Sequence, residues 1–193
     1  MQTSALLMSK TERPAGTGGF LNPASIALEF GVQQGMSIAD FGSGAGYFTT
    51  ILAAMVGHEG RVYALDIQET ALDNVRARAR AEGLNNIETI RTNLEILGSS
   101  SLSDSSQDMV LLANILFESH NDPAILREAV RVLKSGSRII IIDWKKGSGG
   151  FGPPNDLRLS VENMKKLAQD DGLIFEKDFD AGQFHFGLAF KKS

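Results

Sequence analysis

The stretch IADFGSGAGYFT, residues 38–49, decides the fold of this chain. An apolar segment ends at Asp40, glycines follow at alternate positions (Gly42, Gly44 and Gly46), and a helical pattern begins directly after them. Because glycine has no Cβ, it allows a ligand to approach the backbone closely. A strand, a glycine loop and a helix start in this order form a site for a ligand that needs close approach and free N–H groups.

Composition limits the class of protein. The chain has 193 residues, of which 42% are hydrophobic and 22% charged, as is typical of one globular domain. It contains no cysteine, which excludes disulfides, thiolate zinc sites and a cysteine nucleophile, and we predict no metal site. The net charge of -4 argues against a nucleic-acid partner. Without a membrane-length apolar run or a signal-peptide pattern, the expected location is the cytoplasm.

Strand and helix patterns alternate from residue 36 onward. Apolar runs predict strands at 36–41, 61–66, 87–91, 108–114 and 137–144, and a closing hairpin at 173–179 and 184–190. Helical patterns occupy 46–56, the segment after Asp66 up to Gly83, the segment from Asp122-Pro123 to Gly136, and the segment from Ser160 to Gly172. The order predicts an α/β, doubly wound, Rossmann-like and mostly parallel seven-stranded sheet with a C-terminal antiparallel hairpin strand.

The first 35 residues stand outside this alternation. Asn22-Pro23 is a helix start, and the pattern continues to Phe30 and stops at Gly31. We therefore predict a single domain over residues 1–193, with a cover segment at 1–35 and a cofactor-binding core at 36–193.

A carboxylate at the end of the second strand indicates a nucleoside ligand. Asp66 lies about 20 residues after Gly46, where an acid accepts hydrogen bonds from both hydroxyls of a ribose. The dinucleotide fingerprint requires a third small residue, but counting from Gly42 places Tyr47 there, which is too large for close helix–strand packing. No Gly-Lys-Ser/Thr follows the loop, so a Walker-type phosphate site is excluded as well.

The segment DFGSGAGYFT, residues 40–49, resembles the nucleotide-loop motif of class I S-adenosylmethionine-dependent methyltransferases. REAVRVLKSGSRIIIIDW, residues 127–144, is similar to the helix, glycine turn and fifth strand of that family. The resemblance extends from Met36 to Lys192 and includes the terminal hairpin. It implies S-adenosyl-L-methionine as the cofactor and methyl transfer as the activity.

The resemblance also implies a cofactor site. The methionine part would be held by Asp40 and the loop residues Gly42, Ser43, Gly44 and Gly46. The nucleoside would be held by Asp66 at the ribose, Ile67 on the adenine, and Asn93 and Leu94 at the adenine edge. At the position of Asn93 the family more often has an aspartate. Asn114, which ends the fourth predicted strand, occupies the position near the methyl donor.

The segment after the fourth strand bears on the acceptor. Members that methylate the amino groups of nucleic-acid bases carry Asn or Asp, two prolines and an aromatic residue there, but Asn114 is followed by Ile115-Leu116-Phe117. This region and residues 126–139 look closer to the branch that methylates small molecules such as quinone precursors. We expect a small-molecule methyl acceptor, and the sequence leaves the oligomeric state open.

Four residues are candidates for contact with that acceptor. Lys145 and Lys146 follow the fifth strand, Arg158 follows a glycine-rich loop, and His185 begins the last strand at the same edge of the sheet. Since its ordinary pKa of about 6.5 suits proton transfer near neutrality, His185 is also a candidate general base. The alternative is a histidine packed between the sheet and a helix.

Two other functions remain open from the sequence. One is a nicotinamide-dependent oxidoreductase, which Tyr47 and the terminal hairpin disfavour. The other is a module that binds the cofactor without catalysis. Methyl transfer itself needs alignment of the reacting atoms and a dry pocket rather than a covalent nucleophile.

Overall fold

The computed structural model of the chain describes residues 21–119 and 124–193. The strands are β1 (Ser37–Phe41), β2 (Arg61–Asp66), β3 (Ile87–Arg91), β4 (Gln107–Ala113), β5 (Leu133–Trp144), β6 (Leu173–Asp180) and β7 (His185–Lys192). The α-helices are α1 (Pro23–Ala27), α2 (Tyr47–Val56), α3 (Glu69–Glu82), α4 (Ala124–Val132) and α5 (Val161–Asp170). A short 3-10 helix covers Leu116–Ser119.

The strands form one seven-stranded sheet in the order β3-β2-β1-β4-β5-β7-β6. Pairing is parallel from β3 to β5, and β7 runs antiparallel to both β5 and β6. The predicted fold class is confirmed. The carboxyl ends of the parallel strands therefore meet at one edge, where doubly wound sheets bind their ligands.

Helices cover both faces of the sheet, and β5 shows this most clearly. Its isoleucines are fully buried: Ile139 and Ile141 pack on the face covered by α4 and α5, while Ile140 and Ile142 pack on the face covered by α1 and α2. Burial on both faces explains why this strand is a continuous apolar run rather than an alternating one.

The boundary between α4 and β5 differs from the prediction. The helix that the sequence continued to Gly136 ends at Val132, and β5 begins at Leu133. Leu133 pairs with Gln107 at the start of β4, and the register shifts before the regular ladder begins at Arg138. Pairing with a neighbouring strand thus extends the strand at the expense of the helix. The predicted start at Asp122-Pro123 lies outside the described residues.

Part of the predicted cover segment belongs to the core. Asn22 caps α1 by accepting a 3.3 Å hydrogen bond from Ser25 N, as the Asn-Pro pair indicates, but the helix ends at Ala27 rather than Phe30. The chain then turns and places Phe30 against Phe48 and Phe179, with ring centroids 5.8 and 5.9 Å apart. Residues 1–20 lie outside the described part of the chain.

Within the described ranges, no helix combines the length and the apolar character needed to cross a membrane.

Candidate cofactor site

A cavity of about 710 Å³ opens at the carboxyl edge of the sheet. Its walls come from the ends of four adjacent strands, in the spatial order β3, β2, β1 and β4. Most of the predicted cofactor residues lie on these walls: Asp40, Gly42, Ser43, Gly44, Asp66, Ile67, Asn93, Leu94 and Asn114. Gly46 instead caps α2 beside them.

The three loop glycines are required for different reasons. All have positive φ, at +72° for Gly42, +51° for Gly44 and +80° for Gly46. A Cβ on Gly42 would lie 2.5 Å from Ile115, and one on Gly46 would lie 2.9 Å from Val75. A Cβ on Gly44 would meet no protein atom within 4 Å. Gly42 and Gly46 therefore serve internal packing, whereas Gly44 leaves space on the cavity side of the loop.

Asp66 joins the end of β2 to the glycine loop. Its Oδ2 accepts a 2.9 Å hydrogen bond from Gly44 N, and its Oδ1 accepts one of the same length from Gln68 N. An ionised carboxylate has about four acceptor positions, so these two bonds leave capacity for hydroxyl donors. The geometry fits a ribose.

Asp40 lies at the end of β1 and is only 2% exposed. Thr49, in the first turn of α2, donates a 2.6 Å hydrogen bond from Oγ1 to Asp40 Oδ2. Burial raises the pKa of Asp40 to about 6, the Thr49 hydrogen bond opposes this, and the nearby charge of Asp66 adds to the rise. Thr49 was missed by sequence reasoning. The available signal was a pair of threonines, Thr49 and Thr50, in the first turn of an otherwise apolar helix.

Two buried polar atoms on the cavity wall have no hydrogen-bond partner among the described residues. They are the Ser43 hydroxyl oxygen and Asn114 Oδ1. Asn114 also adopts a left-handed backbone, with φ at +56°, while its N–H donates 2.8 Å to Ile142 O. Strained backbone and unpaired buried polar groups concentrate at ligand sites, because the ligand supplies the missing bonds.

The far end of the cavity is shaped by the turn after β3. Asn93 Oδ1 accepts a 3.0 Å hydrogen bond from Glu95 N, and Ser99 Oγ donates 2.6 Å to Asn93 O. Ile67 is 56% exposed and Leu94 is buried, so an exposed and a buried apolar side chain both line this end. A flat apolar ring such as adenine suits these surfaces.

Apolar residues to which the sequence analysis gave no role in the site complete the walls. They come from the segment at α1, from α2, from the residues after β4 and from α4, and were missed because no local pattern links them: Leu21, Pro23, Phe48, Ile115 and Ile125. They make this part of the cavity wall apolar.

His185 does not lie among the residues that line this cavity. It is 2% exposed, its ring centroid is 4.1 Å from that of Trp144, and neither ring nitrogen has a partner in the described part of the chain. Burial lowers its pKa to about 4, and the positive charges of Lys145 and Arg158 contribute. The imidazole is therefore neutral at pH 7.

The other acceptor candidates are held by their own loop. Arg158 is 4% exposed and donates to main-chain oxygens of Pro153 (2.9 Å), Lys145 (3.0 Å), Gly149 (3.4 Å) and Phe151, and to Ser148 Oγ (2.9 Å). Lys145 Nζ donates 2.9 Å to Gly182 O, while Lys146 is exposed. Arg158 thus shapes the loop between β5 and α5. Contact of these residues and of His185 with an acceptor stays a prediction.

Comparison with known proteins agrees with this geometry. A family model described as a methyltransferase domain matches residues 33–177. The ubiquinone/menaquinone biosynthesis C-methyltransferase of Shewanella sp. (strain W3-18-1) is 27% identical over 157 residues, which are 80% of this chain and 59% of that protein. The chain therefore spans about three fifths of the length of the curated relatives it matches.

Solved structures show the same fold. A SAM-dependent methyltransferase from Aquifex aeolicus superposes with a TM-score of 0.81 and 29% identity, over 90% of this chain and 91% of that one. An arsenic(III) S-adenosylmethionine methyltransferase from Chlamydomonas reinhardtii has a TM-score of 0.66 and 21% identity, over 83% of this chain and 64% of that one, a likeness in fold alone.

The family match favours the methyltransferase interpretation over the nicotinamide-dependent alternative. It covers the glycine loop, Asp66 and the end of β4, which are the elements that build the cavity. The chain belongs to the family of S-adenosylmethionine-dependent methyltransferases.

Proposed function

We propose that this protein transfers the methyl group of S-adenosylmethionine to a small-molecule acceptor. The observation that carries the proposal is the shape of the cavity, which crosses the ends of β3, β2, β1 and β4 in turn. Three steps between neighbouring strands span about 14 Å, enough for a nucleoside that carries an amino-acid tail.

The residues that line the cavity differ between its two ends. At the β3 and β2 end, Ile67 and Leu94 flank the adenine and Asp66 accepts from the ribose hydroxyls. At the β1 and β4 end, Asp40 faces the methionine part, and the unpaired oxygens of Ser43 and Asn114 receive donors from the ligands. Gly44 lies between the two ends and leaves room for the cofactor backbone.

When bound, S-adenosylmethionine supplies an electrophilic methyl group on a positively charged sulfur. Asp40 provides negative charge at that end of the cavity above about pH 6. Phe48 and Ile115 exclude water, and the rigid strand ends fix the position of the acceptor relative to the methyl group. Alignment and exclusion of water supply most of the rate enhancement in such a displacement.

The acceptor is proposed to bind beyond β4, at the ends of β5 and β7. Lys145, Lys146, Arg158 and His185 belong to this region. His185 stays the proposed base, but its lowered pKa of about 4 makes it a weaker proton acceptor than an ordinary histidine. The Shewanella relatives are named for C-methylation in ubiquinone and menaquinone biosynthesis, which supports a small organic acceptor. We place the reaction in the cytoplasm and propose no nucleic-acid partner.

Two measurements test the proposal. Calorimetric titration with S-adenosylhomocysteine and with NAD should show binding of the first only. Transfer of labelled methyl groups into a panel of small metabolites should then identify an acceptor. Binding of NAD alone would overturn the cofactor assignment. Cofactor binding without transfer to any metabolite of the panel or to any component of an added cell extract would favour the non-catalytic module.

A further inference from the structure

A buried contact between a hydroxyl and a carboxylate lies at the donor end of the cavity. Thr49 Oγ1 and Asp40 Oδ2 are 2.6 Å apart, and the two residues are 0% and 2% exposed. This distance is typical of a strong O–H···O⁻ hydrogen bond to an ionised acceptor. Among the residues that the structure describes, only Thr49 donates a side-chain hydrogen bond to Asp40.

The fold brings these residues together across the glycine loop. Asp40 lies near the end of β1, the loop reverses the chain, and Gly46 caps the start of α2 with φ at +80°. The first turn of α2 therefore faces the end of β1. The restricted side chain of a β-branched threonine suits a fixed contact of this kind. Thr50 is also buried, but it makes no hydrogen bond to Asp40.

The charges around Asp40 show what the contact opposes. Burial raises the pKa of Asp40 to about 6, and Asp66, the one other charged group that acts on it in the described chain, raises it further. The hydrogen bond from Thr49 is the influence that lowers it. Without that bond, only influences that favour the neutral acid remain.

We propose that Thr49 is a positioning residue for the cofactor, because its hydrogen bond keeps the Asp40 carboxylate ionised for the positively charged methionine part. Since Oδ2 is engaged by Thr49, Oδ1 is left for the ligand. This inference rests on the proposed function, in which Asp40 faces S-adenosylmethionine.

The test is the pH dependence of S-adenosylhomocysteine binding, measured by calorimetry from pH 5.5 to 9 on the full chain. Thr49→Val removes the donor and keeps the shape, Thr49→Ser keeps the donor, and Thr50→Val is the matched control. For Thr49→Val the midpoint of the acid limb should rise by about one to two pH units. Binding should then be roughly 3- to 25-fold weaker than wild type at pH 6.5 and within about twofold at pH 9.

Thr49→Ser and Thr50→Val should follow the wild-type curve. A Thr49→Val curve that superimposes on wild type, or that is displaced equally at every pH, would overturn the inference. Thermal unfolding of each variant shows whether a loss of binding comes from loss of the fold. If Thr49→Val does not fold, the Thr49→Ser curve decides, and its acid midpoint must equal that of wild type. Absence of binding to the wild-type protein would instead contradict the proposed function.

Discussion

The main-chain N–H of Gly44 donates a 2.9 Å hydrogen bond to Oδ2 of Asp66. This bond joins the loop after β1 to the end of β2, and the other oxygen of the same carboxylate holds Gln68 N. The residue proposed to bind the ribose therefore also fixes the loop proposed to receive the rest of the cofactor. Loss of Asp66 should affect both parts of the site at once.

Asp66→Ala should weaken binding of S-adenosylhomocysteine by on the order of 100-fold or more, since each hydrogen bond to a charged group contributes roughly 1.5–3 kcal/mol. Calorimetric titration measures the change. Asp178→Ala, an exposed carboxylate on β6, is the control and should bind normally. An unchanged affinity in a folded Asp66→Ala protein would show that the ribose assignment is wrong.

Gly44→Val should abolish cofactor binding, and Gly44→Ala should weaken it at least about tenfold, because the added atoms enter space that the protein leaves open. The backbone strain of a side chain at φ +51° costs roughly 1–2 kcal/mol in addition. Gly83→Ala carries a similar strain at φ +68°, with no atom within 4 Å of the new Cβ, but it lies at the end of α3. Gly83→Ala should therefore lower the stability of the protein without weakening cofactor binding. Equal losses of binding in Gly44→Ala and Gly83→Ala would contradict the argument that the cofactor approaches Gly44 closely.

His185→Phe should change how stability depends on pH. The native pKa of His185 is about 4 against an ordinary 6.5, so its neutral form contributes stability that is full above pH 6.5 and is lost as the pH falls toward 4. Removing the imidazole should therefore change the difference in free energy of unfolding between the variant and wild type. This difference should be roughly 2–3 kcal/mol more favourable to the variant at pH 4.5 than at pH 8.

Urea unfolding at both pH values measures this difference, with the exposed His58→Gln as a control that also removes one histidine but leaves the buried imidazole in place. Asp40 acts in the opposite direction, because its raised pKa of about 6 makes it stabilising as the pH falls from 6 toward 4. Because Asp40 is present in both proteins, its contribution cancels when the variant is compared with wild type. The same variant tests the proposed base: if His185 takes a proton from the acceptor, methyl transfer falls even though the stability at acidic pH rises.

Glu128→Gln should destabilise the protein by about 3 kcal/mol at pH 7. The fully buried Glu128 carboxylate accepts from Gly98 N (2.7 Å) and Ser100 Oγ (2.5 Å), and it pairs with Arg131 at 2.7 Å. Although burial opposes them, these bonds lower its pKa to about 2 from 4.5. Its contribution is present above pH 4.5 and is lost as the pH falls toward 2.

Denaturant unfolding between pH 7 and pH 3 measures the effect. Glu69→Gln removes a partly exposed partner of Arg76 and should change stability by less than about 1 kcal/mol. A similar small change for Glu128→Gln would show that the network does not anchor the loop that follows Asn93.

The sequence by itself determined the elements whose causes are local. The alternation of apolar strands with capped helices predicts the order of the elements along the chain and the doubly wound fold class, and alternating glycines between Asp40 and α2 locate the ligand edge. Ser160 caps α5 as its position predicts, accepting 3.1 Å from Asn163 N. Each of these signals acts within a few residues, through backbone conformation, side-chain period or capping, and can be seen without knowing the rest of the fold.

Only the tertiary structure decided what depends on partners distant in the chain. β5 begins at Leu133 because Gln107 pairs with it, and Arg158 is enclosed by the carbonyl groups of its own loop. An arginine at the same position in the sequence, but exposed on the surface, would be free to bind a ligand. Burial, desolvation and hydrogen-bond partners are set by residues that the folded chain brings together. This is why the buried His185 imidazole is neutral beside Trp144, and why the Asp40 carboxylate has Thr49 as its hydrogen-bond donor.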